Sequence, residues 1–396
     1  MATVHIIGAG ISGLAAATKL AEAHVPVRVY EASAHAGGRC RASRAAGAGM
    51  RDHGLHLTAT SDREWRRYLA RIGAADGLQK VMAPRLPTAP LIDYLPLLSW
   101  VFRPRGQAEH AIAADSQLRD AWFAPVARLF FASPPAQLPA RAIRRQWKRL
   151  ASRRLWQARD SLQENIIQPA LDYLEERGAS LYFSHKLTRL ERQDGQPAAL
   201  VFGRKKLALA PGDIIIFATA QRAAAGLLGL PEAAQHSAIT LHFAVAHDEA
   251  AERIIYPIDA PMDVVRFREG VISASLRIAD YAWAGDEAML AARIWKAIGT
   301  RVPALRDIPL PDYTSHREKQ AGHALRDEAP LAAEYQGLIL AGDWLDPLTP
   351  PTLEAAAASG HRAAALAQAR LPKKLKREQA HPFKPVAKPM RIKKRR

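Results

Sequence analysis

The stretch VHIIGAGISG, residues 4–13, decides the fold of this chain. Its apolar beginning, residues 4–7, predicts a buried strand, and Gly8, Gly10 and Gly13 follow at the spacing Gly-x-Gly-x-x-Gly. In this pattern the first glycine permits a tight turn, the second lets the backbone approach a pyrophosphate, and the third lets the next helix pack on the strand. A helix that begins at this point directs its first N–H groups towards the anion.

The residues that follow complete a strand–helix–strand unit. Residues 14–23 predict a helix, and residues 27–30 predict a second strand that ends at Glu31. A carboxylate at this position suits two ribose hydroxyls and repels a 2′-phosphate. The sequence therefore predicts an α/β protein with a Rossmann-like dinucleotide-binding domain and a parallel sheet.

Later segments complete this sheet and leave two insertions. Short strands are predicted at residues 181–183, 186–191, 213–218 and 337–341, with a hairpin at 200–209 and a long helix at 351–369. The dinucleotide-binding domain is therefore predicted to be discontinuous, with residues 1–60, 178–230 and 331–371. Residues 61–177 and 231–330 form the predicted substrate- or membrane-facing domain. Its first part is predicted to be helical, and its second part an antiparallel sheet (238–245, 263–268 and 271–276) with a helix at 287–298.

Composition excludes several classes of protein. The chain has 396 residues, 48% of them hydrophobic, which is enough for a sizeable core and two domains. No apolar run approaches the roughly 18 to 20 residues that a membrane span needs, and the first strand leaves no room for a signal peptide, so we expect a cytoplasmic protein. The single cysteine, Cys40, excludes an internal disulfide, and the 14 histidines have no metal-ligand spacing. We expect no metal.

The net charge of +18 is concentrated in two segments. Residues 372–396 carry a net charge of +10 and residues 141–159 a net charge of +8. The sequence has no zinc finger and no aromatic–basic pattern, so we do not expect nucleic acid as a partner. An anionic membrane surface is the alternative, because each basic residue near it contributes about 1 kcal/mol.

The surroundings of these charges leave two interpretations open. Residues 84–104 form an apolar patch that is either core or an element that dips into a membrane. In the basic segment, Ile143, Trp147, Leu150 and Leu155 lie near one predicted helical face, which indicates either an interfacial helix or a packed helix with a solvated face. The tail, residues 372–396, is predicted to be disordered in solution.

Four further motifs carry a resemblance to a known family. They are GGRCR at residues 37–41, DHGLHL at 52–57, PALDYLEERGA at 169–179, and AGDW at 341–344 followed by Pro350, Thr352 and Glu354. With these motifs, residues 1–370 resemble the FAD-dependent amine oxidase and phytoene desaturase superfamily. Within it the chain is most similar to the hydroxysqualene dehydroxylases of bacterial squalene and hopanoid biosynthesis.

The resemblance implies one non-covalent FAD, because Cys40 lies in the N-terminal motif and not near the C-terminal motif where some amine oxidases carry a flavin-linked cysteine. Arg39 would lie beside the pyrophosphate, Asp343 would accept hydrogen bonds from the ribityl hydroxyls, and Leu187 would hold the adenine through its backbone. The helix after Pro351 would point its positive end at the flavin ring. The full set of implied FAD-binding residues is Gly8, Ala9, Gly10, Ile11, Ser12, Gly13, Glu31, Ala32, Gly38, Arg39, His53, Gly54, Leu55, His56, Leu187, Gly342, Asp343, Thr352 and Leu353.

The resemblance also implies a reaction on a polyprenoid lipid, in which reduced flavin delivers hydride to a carbon that loses its hydroxyl as water. Such a reaction needs an apolar tunnel and a proton donor. His56 and Asp346 are the candidate donors. The alternative for His56 is a loop histidine that bonds the flavin or the backbone, and for Asp346 a carboxylate of a turn or helix approach. The alternatives are a polyprenoid desaturase, an amine oxidase and a non-enzymatic prenyl-lipid carrier.

Overall fold

The computed structural model describes residues 2–44, 49–82, 123–131, 138–150, 152, 154–245, 253–255, 262–268, 270–278 and 286–371. The helices are α1 (Ile11–Glu22), α2 (Arg63–Arg71), α3 (Ala124–Phe131), α4 (Ala140–Leu150), α5 (Gln168–Glu176), α6 (Gln221–Leu228), α7 (Glu287–Arg301) and α8 (Leu353–Arg370). A π-helical turn, Gln163–Ile167, precedes α5, and short 3-10 turns lie at Gly38–Cys40 and Asp343–Leu345.

The strands are β1 (Val4–Ile7), β2 (Val27–Tyr30), β3 (Ala42–Arg44), β4 (Met50–Asp52), β5 (Thr58–Ala59), β6 (Leu78–Met82), β7 (Arg154–Ala158), β8 (Ser180–Tyr182), β9 (Arg189–Gln193) and β10 (Gln196–Phe202). They continue with β11 (Lys205–Ala208), β12 (Ile214–Phe217), β13 (Gln235–Ala244), β14 (Arg253–Ile255), β15 (Val264–Arg268), β16 (Val271–Ile278), β17 (Tyr313–His323), β18 (Glu334–Tyr335) and β19 (Leu338–Leu340).

A six-stranded sheet of order β18-β19-β12-β1-β2-β8 forms the centre of the dinucleotide-binding domain. Its strands run parallel except for the β18–β19 pair, and β1 lies between β12 and β2 with Val4 opposite both Ile214 and Val27. All four residues of β1 are buried, as expected for an inner strand of a parallel sheet. Residues of α1, α2, α5 and α8 share one hydrophobic core with this sheet. The predicted parallel α/β architecture is confirmed.

A second, antiparallel sheet of order β14-β15-β16-β13-β17 has two different faces. One face is apolar and packs against α7, with Leu241 and Phe243 in the same core as Ile294. The opposite face is polar although it is buried: Thr240 donates to the hydroxyl of Ser275 at 3.1 Å, and the ring Nδ1 of His242 lies 2.8 Å from the Ser273 hydroxyl. Cross-strand pairing therefore gives the hydroxyls of Thr240, Ser273 and Ser275 and one ring nitrogen of His242 a partner despite their burial.

The structure corrects the sequence analysis in three places. Residues 61–177 were expected to be helical, but β6 and β7 of this segment form a three-stranded sheet with β5. Leu155 consequently lies on β7 and does not share a helical face with Ile143 of α4. The sequence analysis also missed β17, in which residues 314–320 alternate between partly buried and exposed positions without an apolar face.

Two predicted segments, residues 84–104 and the tail 372–396, lie outside the described residues. The domain boundaries stay a prediction. Within the part of the chain that the structure describes, no helix is both long and apolar enough to cross a membrane.

Candidate functional site

A cavity of about 780 Å³ lies at the carboxyl ends of the parallel strands. Its floor includes Gly8 after β1, Glu31 after β2 and Ala218 after β12. On the opposite side, Ser275 and Glu318 of the antiparallel sheet complete the wall. Ligands of open α/β sheets bind in this crevice outside the carboxyl ends of the strands, so the cavity is the candidate binding site.

The glycines of the opening motif shape the floor of this cavity. Gly8 has a φ of +106°, and a Cβ added there would lie 2.5 Å from the carbonyl oxygen of Ala218. A Cβ at Gly13 would lie 1.9 Å from the carbonyl oxygen of Gly8, so both positions require glycine. At Gly10, by contrast, an added Cβ would meet no atom of the described residues within 4 Å, although Gly10 lines the cavity.

Gly10 is also the N-cap of α1 and provides no side-chain cap. The first N–H groups of α1 therefore lack a side-chain partner at the edge of the cavity, which is the arrangement that binds phosphate at helix N-termini. The floor of the cavity fits a pyrophosphate.

Glu31 is held at the end of β2 by backbone donors. The backbone N–H of Ala9 donates to its Oε2 at 2.8 Å, and the backbone N–H of Ser33 donates to its Oε1 at 2.9 Å. These bonds fix the carboxylate while it lines the cavity. A fixed carboxylate at this place suits the ribose hydroxyls of a dinucleotide.

The structure brings nearly all of the predicted cofactor residues to this cavity. All of them line it except Ala9 and Gly13, which support the floor from behind. Sequence analysis missed other lining residues, among them Lys186, Thr219, Arg222, Ser275, Glu318 and Gln320. The last three come from the antiparallel sheet, and no local motif marks them.

Arg39 and Asp343, which come from two distant motifs, form an ion pair at the cavity wall. Nη2 of Arg39 lies 2.5 Å from Oδ2 of Asp343, and Nη1 donates to the carbonyl oxygen of Ala321 at 3.0 Å. The side chain of Asp343 is only 6% exposed, so its charge needs a partner. The arginine supplies that partner and joins the N-terminal and C-terminal motifs.

Histidines border the same wall. His56 lines the cavity, and its Nε2 lies 3.2 Å from the carbonyl oxygen of Arg39. His53 also lines it and stacks on His316 of β17 with 3.5 Å between ring centroids. Burial, together with the neighbouring His316 and Arg41, lowers the pKa of His53 to about 4. The shift makes His53 a poor proton donor at neutral pH.

Asp346, the other predicted proton donor, is absent from the described residues that line the cavity. Its carboxylate accepts from Nη1 of Arg145 at 2.7 and 2.9 Å, from the backbone N–H of Leu348 at 3.1 Å and from the Thr349 hydroxyl at 2.9 Å. These donors hold it in a turn outside the cavity. The structure therefore places Asp346 in a structural position and does not bring it to His56.

Cys40 also lines the cavity, but the residue is only 4% exposed. Burial raises the pKa of its thiol to about 12 although Arg39 opposes the shift, so the thiol stays protonated. Among the described residues, no group of three or more His, Cys, Asp or Glu side chains is arranged to hold a metal ion.

Comparisons with known proteins agree with this geometry. Residues 6–72 match the model of the NAD(P)-binding Rossmann-like domain, which covers the glycine floor and Glu31. The hydroxysqualene dehydroxylase of Rhodopseudomonas palustris is 30% identical over 92% of this chain and 98% of its own length. The chain belongs to the hydroxysqualene dehydroxylase family.

Two further proteins extend the comparison. The hydroxysqualene dehydroxylase of Zymomonas mobilis is 28% identical over 93% of this chain and 99% of its own length. Among solved structures, cyclohexylamine oxidase from Brevibacterium oxydans is similar to this chain with a TM-score of 0.63 and 15% identity. The superposition covers 92% of this chain and 98% of the oxidase chain. At that identity the likeness shows the fold alone, a Rossmann-like domain with additional antiparallel sheet.

Proposed function

We propose that this chain is an FAD-dependent enzyme that converts hydroxysqualene to squalene by reductive dehydroxylation. The observation that carries the proposal is full-length similarity to three proteins named hydroxysqualene dehydroxylase. The cavity supports it, because a dinucleotide floor and an antiparallel sheet face each other across one space.

FAD fits the residues present. Leu187 and Glu31 line one part of the cavity, the glycine floor lines another, and Thr352 and Leu353 line a third at the N-terminus of α8. A helix N-terminus stabilises negative charge, which favours a reduced and anionic flavin ring. When bound and reduced, FAD supplies the hydride for the substrate carbon.

The remaining step is the loss of the hydroxyl as water. His56 would hold the proton and transfer it to the hydroxyl oxygen as the C–O bond breaks and its electron pair stays on oxygen. His56 is suited to this role by its position at the cavity wall, where the carbonyl oxygen of Arg39 orients its ring. Asp346 is not included in this mechanism because its carboxylate is bound in the turn described above.

The test is anaerobic mixing of the pre-reduced holoprotein with hydroxysqualene. We expect squalene and reoxidised flavin in equal amounts, and a slower reaction with unchanged flavin binding in His56→Gln. Bleaching of the oxidised flavin by phytoene, without squalene formation from hydroxysqualene, would establish the desaturase instead. A purified protein without flavin absorbance would favour the lipid carrier.

We also propose that the protein associates peripherally with the anionic cytoplasmic face of the membrane, where a polyprenoid substrate resides. The tail, residues 372–396, is the main candidate because of its net charge of +10. The segment 141–159 is the weaker candidate, because Arg141, Arg145 and Arg149 are each paired with a carboxylate.

Binding to vesicles that contain anionic lipid tests this second proposal. Deletion of residues 372–396 is expected to abolish most binding at low salt while the flavin is retained. Replacement of the exposed Arg144 and Lys148 by Gln should reduce binding less. Unchanged binding by the truncated protein would contradict the proposal, and loss of RNA or DNA binding alone would point to a nucleic-acid partner.

A further inference from the structure

We propose that α4 of the first insertion positions the N-terminus of α8 at the cavity, with Arg145 and Arg149 as positioning residues. The proposal rests on the proposed function, because its readout is the bound flavin. It assigns a role to a basic helix that the sequence analysis interpreted as either interfacial or packed with a solvated face.

Three arginines lie on one face of α4 at intervals of four residues. Arg141 pairs with Asp327 at 2.8 Å, Arg145 with Asp346 at 2.7 Å and Arg149 with Asp62 at 2.6 Å. Residues four apart are neighbours on a helix surface, so a single face of α4 makes all three pairs. The three aspartates belong to three different segments of the chain.

The Arg145 pair leads to α8 through a short turn. Asp346 accepts from the hydroxyl of Thr349 at 2.9 Å, and two prolines separate Thr349 from Thr352. Thr352 is the N-cap of α8, and its hydroxyl oxygen accepts from the backbone N–H of Ala355 at 3.1 Å. Because prolines restrict their own φ and the conformation of the preceding residue, the position of Thr349 determines that of the cap.

The Arg149 pair leads to α8 through the beginning of α2. Arg149 is only 4% exposed, and its partner Asp62 is the N-cap residue of α2. In the first turn of α8, the carboxylate of Glu354 accepts from the backbone N–H groups of Glu64 at 3.2 Å and Trp65 at 2.7 Å. The N-termini of α2 and α8 are therefore bonded to each other, and Arg149 anchors the pair.

Both connections end on the first turn of α8. Thr352, Leu353 and Ala356 of this turn line the cavity, so a displacement of α4 would move the helix end that faces the cofactor. The Arg141–Asp327 pair is on the same helix, and its side chains are 57% and 49% exposed. Its link to the turn is indirect, because it is the neighbouring Arg326 whose backbone N–H donates to the carbonyl oxygen of Pro347 at 2.9 Å. It is therefore a matched control.

The experiment compares the holoproteins of Arg145→Gln, Asp346→Asn, the conservative variant Arg145→Lys, which keeps the charge opposite Asp346, and the control Arg141→Gln. The measurement is the midpoint potential of the bound flavin, with its visible spectrum. A helix N-terminus stabilises a nearby negative charge by about 0.3 to 1 kcal/mol. In Arg145→Gln and Asp346→Asn we therefore expect the equilibrium between reduced and oxidised flavin to shift about two- to fivefold towards the oxidised form. The control should keep the wild-type potential, and Arg145→Lys should lie closer to it than Arg145→Gln. Arg149 is left intact because an unpaired Asp62 would threaten the fold.

A flavin potential that is unchanged in both Arg145→Gln and Asp346→Asn would overturn the inference, and so would an equal shift in Arg141→Gln. A wild-type protein that binds no flavin would overturn the proposed function as well. The two failures are therefore distinguishable by the flavin content of the wild-type protein.

Discussion

Gly10 and Gly13 lie three residues apart, yet we expect their replacement by alanine to have opposite consequences. The Cβ introduced by Gly13→Ala would lie 1.9 Å from the backbone carbonyl oxygen of Gly8, so the α1 backbone has to move. Overpacking of this kind costs about 1 to 3 kcal/mol, and the better helix propensity of alanine offsets about 1 kcal/mol. Because the opposing atom belongs to the backbone, we take the upper end of the range and expect a net loss of about 2 kcal/mol, or a Tm lower by about 4 °C.

Gly10→Ala should leave the apoprotein nearly as stable as the wild type. Its φ of −77° and ψ of 178° suit alanine, and the new Cβ meets no atom of the described residues within 4 Å. That Cβ enters the space where a pyrophosphate approaches the backbone, so flavin affinity should fall by about ten- to hundredfold.

Thermal unfolding of the apoproteins and flavin titration measure the two effects separately. The reasoning would be refuted if Gly10→Ala bound flavin as tightly as the wild type, or if Gly13→Ala melted at the wild-type temperature. The first result would mean that the cofactor does not approach Gly10.

Three other predictions concern buried charges. Burial lowers the pKa of His242 to about 4, so between about pH 4 and 6.5 the folded protein binds fewer protons than the unfolded chain. The free energy of unfolding therefore falls as the pH falls through this range. In urea titrations, His242→Gln should make the free energy of unfolding depend less on pH. Burial raises the pKa of Asp52 to about 7, so over the same pH range this group binds more protons in the folded protein than in the unfolded chain. Asp52 therefore lowers the free energy of unfolding as the pH rises, and in Asp52→Asn that free energy should rise more steeply with pH than in the wild type. Arg149→Ala leaves Asp62 buried without its charged partner and should lower the free energy of unfolding by about 3 to 5 kcal/mol. Arg141→Ala, at the exposed pair, should lower it by less than about 1 kcal/mol. Equal losses in the two variants would contradict the argument from burial.

The strand–turn–helix unit around the opening glycine motif could be predicted from the sequence almost residue by residue. The strands β1 and β2 have the predicted bounds, because a short apolar run next to a glycine turn specifies its structure locally. The same holds for the floor of the cavity, where the Gly-x-Gly-x-x-Gly spacing and Glu31 are close in sequence. Residues 186–191 and 200–209, by contrast, were expected among the segments that complete the parallel sheet, but they contribute to a separate antiparallel sheet of order β11-β10-β9.

The remainder depended on partners that are distant in sequence. Arg145 and Asp346 are separated by 201 residues, so the sequence showed a basic helix and a loop carboxylate but not the ion pair that holds Asp346 in its turn. His316 was missed for a similar reason. Strand β17 has no apolar face, and its contact with His53 exists only after the antiparallel sheet docks on the parallel one.

The burial of Cys40 has a practical consequence for experiments on this enzyme. It is the only cysteine of the chain, and in the folded protein its thiol is both shielded and protonated. Maleimide reagents should therefore not react with the folded protein, and should modify the Cys40 thiol only when the floor of the cavity unfolds locally. The rate of labelling therefore measures the rate or extent of local unfolding at the cofactor site. A cysteine introduced on the surface can carry a single spectroscopic probe without prior removal of the native thiol.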